Sequence, residues 1–353
     1  MRHLALRTGD WVEVRSKTEI LATLDARGEL DAMPFMPEML QFCGQRFRVW
    51  KRAHKTCDTV NRTGGRRVRD AVHLQELRCE GSAHGGCEAA CLLFWKERWL
   101  KRVDGPHPAR NEGGGVNVAS RAPAGACTEQ QLAAATRVDD RKEGSKPIYS
   151  CQATLLPRFT TPLPWWDFRQ YVEDYTSGNV TLWQLICGAV YVMYYGLITR
   201  AQRVSPALAW RLLRLYDLAR RPFGGTPYPR LRGSIPAGNP TPARRLDLQP
   251  GEIVRVLPYE QVLATLDTRN KNRGMFFDAE EVPFCGKTFR VRSTVSQIID
   301  ERTGEMIPIK GGNVLLEGSW CQARYSDRRM MCPRAIYPIW RETWLERVND
   351  GGR

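Results

Sequence analysis

The sequence predicts an α+β protein in which two copies of one small β-rich domain are separated by a helical, linker-rich central segment. Two observations carry that prediction. The chain has 353 residues, enough for two or three domains with cores of their own. It also matches itself at an offset of 242: residues 9–58 lie on 251–300 without a gap, with 19 identities in 50 positions. Leu21-Ala-Thr-Leu-Asp25 recurs at 263–267 and Phe42-Cys43-Gly44 at 284–286. After a short insertion the match resumes at an offset of 245, where Trp95, Glu97, Trp99 and Leu100 meet Trp340, Glu342, Trp344 and Leu345. Only two copies, far apart, make a duplicated domain and not a solenoid.

Each copy reads as mostly β. Residues 9–15 alternate apolar and polar side chains after a Gly-Asp turn, and 46–50, 71–77 and 92–103 supply further short strands, with 17–24 as a short helical insert. About five short strands opening on Gly-Asp-x-Val-x-Val resemble a small SH3-like β-barrel, so the fold expected is two SH3-like barrels, over 1–104 and 249–350. Phe42-Cys43-Gly44, His54-Lys-Thr-Cys57-Asp58 and His84-Gly-Gly-Cys87 together resemble an uncharacterised bacterial family with two such repeats flanking a helical segment; that resemblance implies no activity. Between the copies, 105–150 reads as a flexible linker with a short helix near 129–137, and 223–248 as a second linker rich in Pro, Gly and Arg. The helical segment expected over 151–222 contains three runs, 164–175, 180–203 and 206–221.

Lys and Arg exceed Asp and Glu by 53 to 38, a net charge of +15 that favours an anionic partner. Nucleic acid, an acidic membrane surface and a protein complex all stay open. The N-terminus lacks the apolar run of a secretory signal, so the expected location is the cytoplasm, with peripheral contact at the inner membrane face as an option. There, eleven cysteines would stay reduced and serve as metal ligands, nucleophiles or packing groups.

The first repeat concentrates soft ligands: His54, Cys57, Cys79, His84, Cys87 and Cys91. Thiolates and imidazoles spaced by two to four residues close around a tetrahedral ion, and Gly81, Gly85 and Gly86 allow the tight turns this needs. Zn fits best, with an iron-sulfur cluster as the alternative. The second repeat is an internal control. Cys43, Cys79 and Cys87 keep cysteines there, at 285, 321 and 332, but His54, Cys57, His84 and Cys91 align with Ser296, Ile299, Arg329 and Ile336. The added ligands are therefore not required by the barrel. Cys57 as a nucleophile with His54 as base and Asp58 as orienter is disfavoured, because near neighbours on a strand tend to point to opposite faces.

Residues 180–198 form an apolar stretch followed by ten Arg against one acid over 200–245. The preferred expectation is the packed centre of a soluble helical subdomain, with interfacial contact or a true span as alternatives. Arg200, Arg203, Arg211, Arg214, Arg220 and Arg221 are the candidate anion-binding residues. The function these features suggest is a non-catalytic metal-binding scaffold engaging an anionic partner, against a metalloenzyme or redox accessory protein using the Cys/His cluster.

Overall fold

The computed structural model describes residues 4–106, 127–138, 146–220, 226–326 and 328–348. It is a mixed α and β architecture with several small antiparallel sheets. The chain divides into two compact units: one comprises Met1–Thr181, Gln297–Pro308 and Met331–Ala335, the other Leu182–Ser296, Ile309–Met330 and Ile336–Arg353.

In the first unit the strands β1 (Trp11–Val14), β2 (Arg46–Arg52), β3 (Ala71–Leu74), β4 (Trp95–Lys96) and β5 (Leu100–Val103) form one antiparallel sheet in the order β4-β3-β2-β1-β5. Alternation sets the facing: Val12 and Val14 of β1 are buried, as is Val49 of β2. Trp11 stands opposite Arg48 on one side and Val103 on the other. A bulge between Val49 and Lys51 bends β2 against β3. The apolar run 92–103, expected as a single strand, is broken by a 3-10 turn over Glu97–Trp99, which buries Trp95 and Trp99 in the core. Phe35 meets the Trp99 ring edge-on at 5.1 Å, and Trp99 Nε1 donates to Thr23 Oγ1 at 3.1 Å. The helical insert α1 (Lys17–Leu21) begins with a capping box, Ser16 and Glu19 each bonding the other's backbone N–H.

The second unit repeats this register. Its strands β6 (Ile253–Val256), β7 (Thr288–Thr294), β8 (Asn313–Leu316), β9 (Trp340–Arg341) and β10 (Leu345–Arg347) follow the order β9-β8-β7-β6-β10, with Ile253 opposite Arg290. The bulge recurs between Val291 and Ser293, and Phe277 meets Trp344 at 5.2 Å. No pairing closes either sheet into a barrel among the described residues.

Both stretches read as linkers are partly built into the units. Tyr149 donates its N–H to Gly304 O at 2.8 Å, and a helix at Glu129–Ala134 buries Leu132. In the 223–248 stretch Tyr228 and Leu248 are buried and Gly233 N–H donates to Asn270 Oδ1. Apolar residues scattered through these Pro- and Gly-rich segments anchor them, a signal that composition averages away.

The expected helical segment is also divided. The helix Arg169–Thr176 belongs to the first unit; the long helix Leu182–Val204 and its successor Pro206–Arg220 belong to the second. The long helix is not the packed centre that its composition suggested. Tyr191 and Ile198 pack with Tyr216, Tyr228 and Tyr325, while Leu182, Trp183, Ile186, Val190, Met193 and Leu197 are exposed. A helix apolar all round buries all round only where neighbours exist on every side, and here one face alone is packed.

Candidate metal centre

The chain between β3 and β4 is a loop pinched at its base. Arg78 bridges Leu92, and Cys79 N–H donates to Cys91 O at 2.8 Å. Within it, His84 and Gly86 N–H groups both donate to Gly81 O. Gly81 has φ +72°, and a Cβ there would lie 2.1 Å from Cys87 O, so only glycine lets the loop fold back on itself.

This folding gathers Cys79, His84, Cys87 and Cys91 around one small cavity, together with Cys151, Ile299 and Arg334. Its free volume is about 20 Å³, room for a single water-sized sphere or ion. Cys79 Sγ lies 3.5 Å from His84 Nε2 and 3.4 Å from Glu38 Oε1. Glu38, Cys79 and His84 offer ligand atoms all within 4.8 Å of one another and could hold a metal ion. Two buried polar atoms there, Glu38 Oε2 and His84 Nδ1, have no hydrogen-bond partner, an arrangement that costs free energy unless something else satisfies them.

Burial sets the protonation of the group. It pushes the Cys79 and Cys87 thiols up, Cys91 up to about 12 and Cys151 up to about 11, so none is a thiolate near neutrality unless a cation displaces its proton. Such thiols are poor nucleophiles. Burial also lowers His84 to about 4, leaving a neutral imidazole, the form that binds metals. Glu38 is raised by burial. Arg334 is fully buried beside the thiols, donating to Thr59 Oγ1 at 2.7 Å and pairing with Glu301 at 3.1 Å. It is the cation next to any thiolates formed here. Cys87 Sγ additionally accepts from the N–H of Ile299 at 3.3 Å, the kind of sulfur hydrogen bond that supports a metal thiolate.

Of the six expected ligands, Cys79 and His84 lie within ligand distance of each other and of Glu38, Cys87 and Cys91 line the same cavity, and His54 and Cys57 do not. His54 is buried with Nε2 3.2 Å from Asp174 Oδ1 and 3.3 Å from Gln170 O. Asp58 is engaged by Thr63 Oγ1, Asn61 N–H and Arg66, which removes it as an orienter for a Cys57–His54 pair. Sequence spacing missed Cys151 and Glu38. Cys151 stands outside the repeat, and the signal for Glu38 was its identity with Glu280 in the second copy.

The candidate anion-binding residues Arg200, Arg203, Arg211 and Arg214 are exposed on the two helices of the second unit. Arg220 ends the second of them, and Arg221 lies outside the described residues. No family model matches the chain, and no curated protein or solved structure does.

Proposed function

We propose that the protein is a non-catalytic scaffold whose first repeat is held by one Zn²⁺ ion and whose arginine-bearing central helices engage an anionic partner. The observation that carries the metal reading is the convergence of Cys79, His84, Cys87, Cys91 and Cys151 on a cavity sized for one ion. Glu38, Cys79 and His84 would supply three ligands, and one of Cys87, Cys91 and Cys151, which line the same cavity, would supply the fourth of a tetrahedral set. Burial of the thiols, which raises their pKa and makes them poor nucleophiles, favours a structural role over a catalytic one. The strand order, with a 3-10 turn before the last strand returning to β1, supports reading each repeat as an opened SH3-like barrel, a frame that displays surfaces and does not by itself imply chemistry.

The four thiols favour an iron-sulfur cluster as the second reading, although the volume suits a single ion better. Metal analysis and a visible spectrum of the anaerobically purified full chain separate the two. About one zinc per chain without visible absorption is the expected result, lost in Cys79→Ser and Cys91→Ser; a sulfide-dependent visible band would assign the redox cofactor, and metal-free protein would refute both.

A further inference from the structure

Resting on the anionic-partner reading above and deepening it, we infer that the outward face of the long helix Leu182–Val204 docks in the headgroup layer of an anionic lipid bilayer. Leu182, Ile186, Val190, Met193 and Leu197 are spaced by three and four residues, form one stripe, and are all exposed. The stripe runs into Arg200 and Arg203, and the following helix adds exposed Arg211 and Arg214. Arg214 stacks on the exposed Trp210 at 3.9 Å, an amphipathic pair suited to a bilayer's polar boundary. Not one acidic residue occurs between 182 and 216.

That charge pattern selects the occupant. A second copy of this face would bring only arginine to arginine or to apolar side chains, with no carboxylate to pair. An anionic bilayer supplies both an apolar layer for the stripe and negative headgroups for the arginines. The helix is long and apolar enough to cross a membrane by length and composition. Its inner face argues for lying in the interface instead: Tyr191 and Ile198 are packed in the aromatic cluster with Tyr216 and Tyr228, and Tyr191 Oη accepts from Arg230 Nε at 2.9 Å. A span would strip those contacts; interfacial docking leaves them intact.

The test is flotation of the full chain with neutral phosphatidylcholine vesicles and with vesicles carrying about 30 mol% phosphatidylglycerol. Binding to the anionic vesicles is expected, weakened by salt. Changing Arg200, Arg203, Arg211 and Arg214 together to Gln should reduce it up to about 1,000-fold. The pair Ile186→Glu and Val190→Glu, both at exposed positions, should reduce it at least about tenfold. No flotation of the parent, or unchanged flotation of the Gln variant, overturns the proposal. So does light scattering that shows a dimer dissolved by the Glu pair without vesicle binding, or oligonucleotide retention through the same arginines without flotation. Metal content is read in the same samples. Zinc retained without flotation sinks the docking alone, whereas flotation without zinc sinks the metal reading alone.

Discussion

The two repeats have matching strand orders and matching buried Trp residues, and they differ most in the loop that carries the candidate ligands. In the first, Glu97 accepts from the Ala5 and Leu6 N–H groups; in the second, Glu342 accepts from those of Leu246, Asp247 and Leu248. Trp99 bonds Thr23 as Trp344 bonds Thr265, at 3.1 and 3.0 Å. Glu38 and Glu280 are also counterparts, yet Glu280 accepts from Arg324 and Tyr325 N–H and the Ser326 hydroxyl, while Glu38 faces Cys79 and His84 with one oxygen unsatisfied. The same carboxylate that ties down a loop through backbone amides in one copy faces a set of soft ligands in the other. The strand frame is thus shared by a copy that has the candidate ligands and a copy that lacks His84 and Cys91.

The comparison breaks first on the metal. Cys79→Ser should lower unfolding free energy by on the order of 5 kcal/mol, a part of the ion's folding-coupled binding energy, whereas its counterpart Cys321→Ser should cost far less. Chemical denaturation with metal present and after chelation checks this; equal losses, insensitive to chelator, would make the cluster mere packing. Next in size, Trp99→Ala and Trp344→Ala should each cost about 3–5 kcal/mol, because each empties the centre of an equivalent core. A difference of several kcal/mol between them would end the claim of equivalence.

A third contrast concerns acid. His73 occupies the buried position that Leu315 fills in the second repeat, with Nδ1 2.9 Å from Leu93 O. Burial lowers it to about 3 from an ordinary 6.5. The unfolded chain therefore binds a proton that the folded one refuses. Its contribution is fully present above pH 6.5 and is lost as pH falls from there toward 3, by up to about 1.4 kcal/mol per pH unit. His73→Leu should flatten that part of the stability profile relative to the parent, read by denaturation between pH 4 and 7 (about the window set by the two pKa values); an unchanged slope would place the acid sensitivity elsewhere. Smallest of all, Thr23→Val and Thr265→Val should each remove the indole hydrogen bond and the hydroxyl's bond to the Ile20 or Val262 carbonyl, and cost about 1–2 kcal/mol, equally in both copies.

Much of the frame was legible before folding. The gapless match over 9–58 located both repeats, alternation located β1 and the match its counterpart β6, and the helix boundaries near 182 and 206 followed from the apolar run and Pro206. Four of the six expected ligands line one cavity because they share one glycine-pinched loop, and of these Cys79 and His84 lie within ligand distance of Glu38. His54 escaped because a buried histidine facing Asp174 has the same sequence signature as a ligand. Cys151 was missed for the opposite reason, since no local spacing ties it to the loop it meets.

What the sequence determined by itself is what local periodicity and self-similarity encode: a duplicated β frame and a loop rich in soft ligands; the strand pairing and its register came from the structure. The tertiary structure alone decided which thiols share a cavity and that Arg334, more than 240 residues from Cys91, lies among them. It also decided that the long helix turns an apolar stripe outward. The physical reason is common to all three. Composition fixes what a side chain prefers, but whether a thiol, a guanidinium or a leucine finds a partner depends on which distant segment folds against it.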